Sequence, residues 1–158
     1  MILLDELADV EFLRGLSPEY VRRIAQAAQL EECLAGTVLF REGQGCPFVY
    51  LVLRGSVVLE VNAPAQGTVP VQTVEAGELL GWSPLFRLGP MTVTACTRTR
   101  CRLAVLDAAR LLAMAEHEPR FGMELLRRTA TVVARRLRAA RLAGAENLRE
   151  AVLHPESH

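Results

Sequence analysis

The chain has 158 residues, 51% of them hydrophobic, which is enough to bury one substantial core. Its formal net charge of zero excludes a bulk electrostatic grip on nucleic acid or anionic lipid, although a local basic patch stays possible. No stretch reaches the ~20 consecutive apolar residues of a membrane-spanning helix, and the first residues are acidic where a secretory signal would be basic. We therefore expect a cytoplasmic protein without a membrane segment.

The first third of the chain begins with helices. Residues 5–13 form a short amphipathic segment. Ser17 followed by Pro18 is typical of a helix start, with Ser17 as the cap and Pro18 in the first helical position. Apolar residues at helical spacing then predict a helix over about 18–31.

The apolar period changes after the helices. Between residues 34 and 106 the chain is a series of short β-type runs separated by Gly and Pro, such as the turn at Arg54-Gly55. The runs that flank this turn alternate apolar and polar residues, as half-buried hairpin strands do. Six or seven strands spaced in this way predict a roll or barrel.

The C-terminal part predicts two helices. Asp107 caps a helix over 108–117, and a longer helix runs over 119–143. The longer helix has a heptad-like apolar seam with small residues, which suits close contact between two helices. The seam consists of Leu126, Ala130, Val133, Leu137, Ala140 and Gly144. The tail, 146–158, adds a turn or two of helix before it frays.

Five motifs occur along the chain in a fixed order. They are Phe12-Leu13-x-x-Leu16-Ser17, Ala35-Gly36-Thr37-Val38-Leu39-Phe40-Arg41-Glu42-Gly43, Val49-Tyr50-Leu51-Val52-Leu53-Arg54-Gly55-Ser56-Val57, Glu75-Ala76-Gly77-Glu78-Leu79-Leu80-Gly81 and Leu103-Ala104-Val105-Leu106-Asp107. In this order and spacing the chain resembles the cyclic-nucleotide-binding domain of Crp/Fnr-type regulators. The resemblance implies an α+β, mainly β fold, a double-stranded β-helix (a jelly-roll-like β-roll) flanked by N-terminal helices and a long C-terminal dimerisation helix.

The resemblance also sets the expected domain organisation, which is a single domain over 1–158. Its parts are N-terminal helices 1–33, a β-roll 34–106 with a ligand-binding cassette 77–92, C-terminal helices 107–145 and a tail 146–158.

The cassette departs from the pattern of the family that the chain resembles. There it reads roughly F-G-E-L-A-L, followed by a loop with Arg and then Ser or Thr; the Glu bonds the ribose and the Arg neutralises the phosphate. Here Trp82 occupies the Glu position, the Arg position falls on Gly89 or Pro90, and Pro84 removes one backbone donor. Losing both charged contacts lowers affinity by ~3–5 orders of magnitude, so we expect cAMP and cGMP binding to be lost or altered.

The resemblance places the candidate ligand-binding residues in this degenerate cassette: Gly81, Trp82, Ser83, Leu85, Arg87 and Thr92. Trp82 either stacks on a planar effector or fills the vacated cavity. Arg87 is the arginine inside the cassette that could replace the missing one. Thr92 lies where the family has its phosphate-binding hydroxyl.

Other functions find less support in the sequence. All three histidines lie outside the strands and no cysteine cluster exists, so we expect no metal, haem or iron–sulfur cofactor. No catalytic constellation is present, so we expect no enzyme. Arg98, Arg100 and Arg102 alternate along one strand, which favours a solvated face over an anion patch.

Two hypotheses about function follow. The first is a regulatory, ligand-sensing domain that forms a homodimer through the 119–143 helix, with Leu126, Ala130, Val133, Leu137 and Ala140 at the interface. The alternative is a protein-interaction scaffold or partner-modulating subunit without an effector. Direct sequence-specific DNA binding is not expected, because a winged helix-turn-helix needs roughly 60 residues beyond the long helix.

Overall fold

A computed structural model describes residues 2–153, with side chains for residues 3–144, and the chain divides into two compact units after Glu124. The first unit holds three helices, two sheets and the first residues of a fourth helix. The second unit is the remainder of that helix. The helices are α1 (Ile2–Ala8), α2 (Pro18–Ala27), α3 (Ala108–His117) and α4 (Pro119–Leu153).

Eight strands form the two sheets of the first unit. They are β1 (Ala28–Cys33), β2 (Val38–Phe40), β3 (Phe48–Arg54), β4 (Ser56–Ala63), β5 (Gly67–Glu75), β6 (Leu79–Leu80), β7 (Thr94–Thr97) and β8 (Cys101–Asp107). One sheet has the order β1-β8-β3-β6 and the other β2-β7-β4-β5, with antiparallel pairing in both. Early strands pair with late ones, as in a double-stranded β-helix, and the predicted fold class is confirmed.

The roll has a continuous apolar core between the two sheets, made of side chains from both. Strand β3 is buried on both faces, which differs from the half-buried strand that alternation predicts. Tyr50 and Val52 face the roll interior, whereas Val49 and Leu51 are buried on the other face of the same sheet. Helices α2 and α3 contact the central strand β8 of this sheet and cover the face that points away from the roll interior.

The predicted helix over 18–31 is wrong in its last four residues. The helix expected over 18–31 ends at Ala27, and residues 28–33 form β1, which pairs with β8 from Ala28↔Leu106 to Cys33↔Cys101. Gln, Leu and Glu in this segment are good helix formers, so local propensity favours a helix. Backbone pairing with a strand distant in the sequence overrides that preference.

The helix starts are closer to expectation. Asp107 caps α3 as predicted, since its side chain accepts a hydrogen bond from the backbone N–H of Arg110 at 3.1 Å. Ser17 occupies the cap position of α2, but its side chain accepts no cap hydrogen bond. Helix α4 continues past Ala143 to Leu153, through part of the predicted tail, and residues 154–158 of that tail lie outside the described residues.

Within residues 2–153, no helix combines the length and the apolar character needed to cross a bilayer.

Candidate functional site

The cassette segment contains β6, a 3-10 helix (Ser83–Phe86) and the loop that leads to β7. Gly81 joins β6 to the 3-10 helix with a φ of +79°, a conformation that favours glycine. A Cβ at this position would lie 3.3 Å from Phe40 Cε2 and 3.6 Å from Tyr50 Cδ2. The missing side chain therefore lets the cassette backbone approach two aromatic rings of the roll core.

Two backbone donors of the cassette segment are engaged within it. The N–H of Leu85 donates to the carbonyl of Trp82 at 2.9 Å, and the N–H of Leu88 donates to the carbonyl of Ser83 at 3.4 Å. Pro84 has no N–H to donate. An anion at this helix would find fewer free donors than the start of a regular α-helix presents.

The candidate ligand-binding residues do not converge on one buried point. Leu85 is buried, Trp82 and Ser83 are half-buried, and Arg87 and Thr92 are exposed. Arg87 closes the 3-10 helix in the left-handed conformation, with a φ of 53°. The structure thus brings Gly81 and Leu85 to the core and leaves Arg87 and Thr92 on the surface.

The roll interior is apolar. Twelve buried side chains form its core: Phe40, Tyr50, Val52, Val57, Leu59, Val74, Leu80, Met91, Ala95, Cys101, Leu103 and Val105. Trp82 and Arg87 are not members of this cluster. Among residues 3–144 the buried polar residues are Thr97 and Thr129. No charged side chain of these residues belongs to the core of the roll.

Tyr50 supplies a hydroxyl to this interior. Burial, reinforced by the neighbouring Cys46 thiol 4.0 Å away, raises the pKa of Tyr50 far above its ordinary value. The hydroxyl is therefore neutral at physiological pH and cannot stand in for a charged ligand group.

A cleft of about 390 Å³ lies between the cassette helix and α3. Pro84 and Arg87 line it from the cassette, and Asp107 and Glu116 line it from the start and end of α3. The remaining lining residues are Pro47, Ala108, Ala109, Leu112 and Ala113. Arg87 therefore shares a cleft with two carboxylates, and the lining residues are distinct from the roll core.

The predicted interface residues lie in the second unit. Leu126 and Leu137 are each 52% exposed, Ala130 and Ala140 are exposed, and Val133 is half-buried. Such large exposed apolar side chains on one helix are typical of an interaction surface. Their role as a dimer interface remains a prediction.

The three alternating arginines do not form one solvated face. Arg98 precedes β8 and is exposed, whereas the Arg102 side chain is only 18% exposed. The Arg102 guanidinium donates two hydrogen bonds of 2.7 Å to the Glu6 carboxylate and one of 2.7 Å to Glu32. These acids are far away in the sequence, and no local pattern could have identified them.

No group of three or more His, Cys, Asp or Glu side chains in the described part of the chain is arranged to hold a metal ion.

The chain is similar in sequence to a known domain family and to known regulators. The family model of the cyclic nucleotide-binding domain matches residues 30–118, which is more than half of the chain. A CRP-like cAMP-activated global transcriptional regulator of Mycobacterium tuberculosis is 27% identical over 132 residues, 84% of this chain and 57% of that protein. The chain thus spans a little over half the length of the curated relatives it matches.

Two solved structures give similar results. The N-terminal domain of a transcriptional regulator from Streptomyces coelicolor A3(2) is 29% identical, with a TM-score of 0.68 over 88% of this chain and 94% of that one. The catabolite activator protein of Thermus thermophilus is 26% identical, with a TM-score of 0.72 over 89% of this chain and 64% of that one.

Proposed function

Since the chain belongs to the cyclic nucleotide-binding domain family, we propose that it is a CRP-like ligand-sensing domain whose cassette does not hold cAMP or cGMP in the manner of the family. The relative from Mycobacterium tuberculosis is a cAMP-activated regulator, whereas the cassette of this chain lacks the family's Glu and Arg.

The absence of any charged side chain of residues 3–144 from the core of the roll is the observation that carries the proposal. A phosphate that enters the roll exchanges water for surrounding groups, and an unpaired charge in such a place costs several kcal/mol. The core of the roll is apolar apart from the Tyr50 hydroxyl, which is neutral at physiological pH. Trp82 takes the position of the family's Glu, and Gly89 or Pro90 takes that of its Arg, so neither position provides a carboxylate or a guanidinium.

Arg87 is the replacement that the sequence offers, and its surroundings argue against that role. It is exposed, and it lines the cleft together with Asp107 and Glu116. Opposite charges nearby favour the present position of the guanidinium over a move into the roll.

Direct titration tests the proposal. We expect calorimetry with cAMP and with cGMP to show no binding at micromolar concentrations, and micromolar affinity would refute it. Trp82 is the single tryptophan of the chain, so its fluorescence reports on the cassette in the same titrations. If binding were found and then lost in Arg87→Ala, Arg87 would be the substitute ligand.

A gain of binding tests the physical cause. Of the two candidates for the Arg position, Pro90 is substituted, because Gly89 has a φ of +85° that disfavours a side chain. The double variant Trp82→Glu, Pro90→Arg places both charges in the cassette, and Trp82→Gln, Pro90→Gln is a control of similar size without them. We expect the charged variant to bind cAMP at least about tenfold more tightly than the control, which corresponds to about 1.4 kcal/mol. Equal affinities would show that the missing charges are not what prevents binding.

We also propose that the domain forms a homodimer through the exposed seam of α4, for which the exposure of Leu126 and Leu137 is the support. We expect it to act in the cytoplasm and to regulate rather than catalyse. The second candidate function is a protein-interaction scaffold, which the apolar core of the roll favours. A thermal-shift panel of nucleotides and small aromatic molecules separates the two, because a scaffold without an effector gives no shift.

A further inference from the structure

Two cysteines face each other across the first and last strands of the roll. Cys33 is the final residue of β1 and Cys101 the first of β8, and the two are direct partners in the antiparallel register. Direct partners in an antiparallel pair have Cα atoms about 4.5 or 5.5 Å apart and side chains on the same face. Either Cα–Cα distance falls within the range of about 4.4–6.8 Å that a disulfide requires.

The two thiols differ in their exposure to solvent. Cys101 is fully buried and belongs to the roll core, whereas Cys33 is half-buried and packs against that core. A small oxidant can therefore reach Cys33 from solvent, and Cys101 is placed to react with it from inside. Neither cysteine is part of a disulfide in this structure.

We propose that Cys33 and Cys101 form an oxidisable dithiol site, which hydrogen peroxide or another hydroperoxide closes to a disulfide across β1 and β8. The site is separate from the cassette and does not depend on whether the domain binds a nucleotide.

The reaction balances with the peroxide as the oxidant. The Cys33 sulfur attacks one peroxide oxygen, the O–O bond breaks, and the other oxygen leaves as water with the proton of the Cys33 thiol. The Cys101 sulfur then attacks the resulting sulfenic sulfur, the S–O bond breaks, and a second water leaves with the proton of Cys101. The two thiols supply the two electrons that reduce one hydrogen peroxide to two waters.

The surroundings set the rate of the first step. Burial, followed by the nearby Glu31 carboxylate, raises the pKa of the Cys33 thiol, which lowers its thiolate fraction at neutral pH. The site should therefore respond to sustained rather than brief oxidation. The Cys101 sulfur contacts the carbonyls of Ser56 and Thr99, each at 3.4 Å, and a thiol is a weak donor that gives up such contacts readily.

Closure would tie the edge strand β1 to the centre of its sheet. The bridge would enclose all strands from β2 to β7 in one covalent loop, and long loops restrict the unfolded chain most. For a chain of this size we expect the oxidised protein to melt about 5–10 °C higher than the reduced protein.

Peptide mapping of the peroxide-treated full chain, with free thiols alkylated first, tests the site. We expect an intramolecular Cys33–Cys101 linked peptide, a higher melting temperature, and reversal of both by dithiothreitol. Cys96→Ser is the matched control, because Cys96 lies opposite Val38 and Val58 and has no cysteine partner in the register. The control should oxidise like the wild type, and Cys33→Ser should lose the linkage and the shift.

The mapping on the wild-type chain decides the matter even if Cys33→Ser fails to fold. Linkage through Cys46 or Cys96, linkage between chains, or Cys33 and Cys101 that stay fully alkylatable would each overturn the proposal.

Discussion

Gly55, at the turn between β3 and β4, packs closely against the residues that lead into β8. The substitution Gly55→Ala, which adds one methyl group, tests how tight this packing is. Its φ is +92°, and a Cβ there would lie 2.4 Å from the carbonyl oxygen of Arg100, 2.7 Å from Cys101 Sγ and 2.9 Å from Thr99 Oγ1. Three atoms of residues 99–101, which lead into β8, would thus overlap the added methyl group. Gly55→Ala can fold only if the turn or the start of β8 moves.

The magnitude follows from two contributions. A left-handed non-glycine residue costs about 1–2 kcal/mol, and forcing an additional methyl into a packed site costs about 1–3 kcal/mol more. Gly36 has a similar φ of +85° but nothing within 4 Å of its Cβ position, so Gly36→Ala carries only the first contribution. We expect losses of about 3–4 kcal/mol for Gly55→Ala and about 1 kcal/mol for Gly36→Ala.

Equilibrium unfolding in urea measures both variants, with Trp82 fluorescence and circular dichroism as two probes. At about 2–4 °C per kcal/mol, the melting temperatures should fall by about 6–16 °C for Gly55→Ala and about 2–4 °C for Gly36→Ala. Equal losses for the two variants would show that the start of β8 yields without cost, and would refute the packing argument.

Three further predictions concern other parts of the chain. Leu137→Arg places a charge on the exposed seam of α4 and should give a monomer by light scattering, whereas an unchanged dimer would contradict the interface. Asp107→Ala should lower the free energy of unfolding by about 1 kcal/mol, because the cap of α3 is lost. Ser17→Ala should lower it by only a few tenths of a kcal/mol, because Ser17 makes no cap hydrogen bond. Equal losses for the two variants in denaturant unfolding would refute this account. A hydrogen bond from Arg102 holds the pKa of Glu6 below its ordinary 4.5, so the pair stabilises the fold above that pH and its contribution is lost as the pH falls through the lowered pKa. Glu6→Gln should therefore lower the melting temperature at pH 7, and the gap to the wild type should close in acid; a gap that persists at low pH would mean that the ion pair is not its source.

Features of the fold that depend only on residues close in the sequence could be predicted from the sequence. Pro18 begins α2, Asp107 caps α3 and Pro119 begins α4, since each signal acts within one helical turn. Strand β1 was missed because its conformation depends on β8, which the chain reaches only after the other strands. The partners of Arg102 were missed for the same reason.

The candidate site was predictable in composition rather than in arrangement. The absence of the family's Glu and Arg from the cassette is visible in the sequence at Trp82 and at Gly89 or Pro90. The place of Arg87 on a cleft with Asp107 is not, because it depends on the short 3-10 helix and on the packing of α3. That Cys33 lies opposite Cys101 likewise depends on the register between β1 and β8.

The position of β8 between β1 and β3 has a consequence for how the chain is made. A ribosome delivers β8 after the seven other strands of residues 2–153, so a nascent chain carries both of its neighbours with their inner edges unpaired. Contacts between such distant segments slow folding, and unpaired strand edges favour association with other chains. We therefore expect the roll to fold in one cooperative step after Asp107 has emerged, and to rely on chaperones until then.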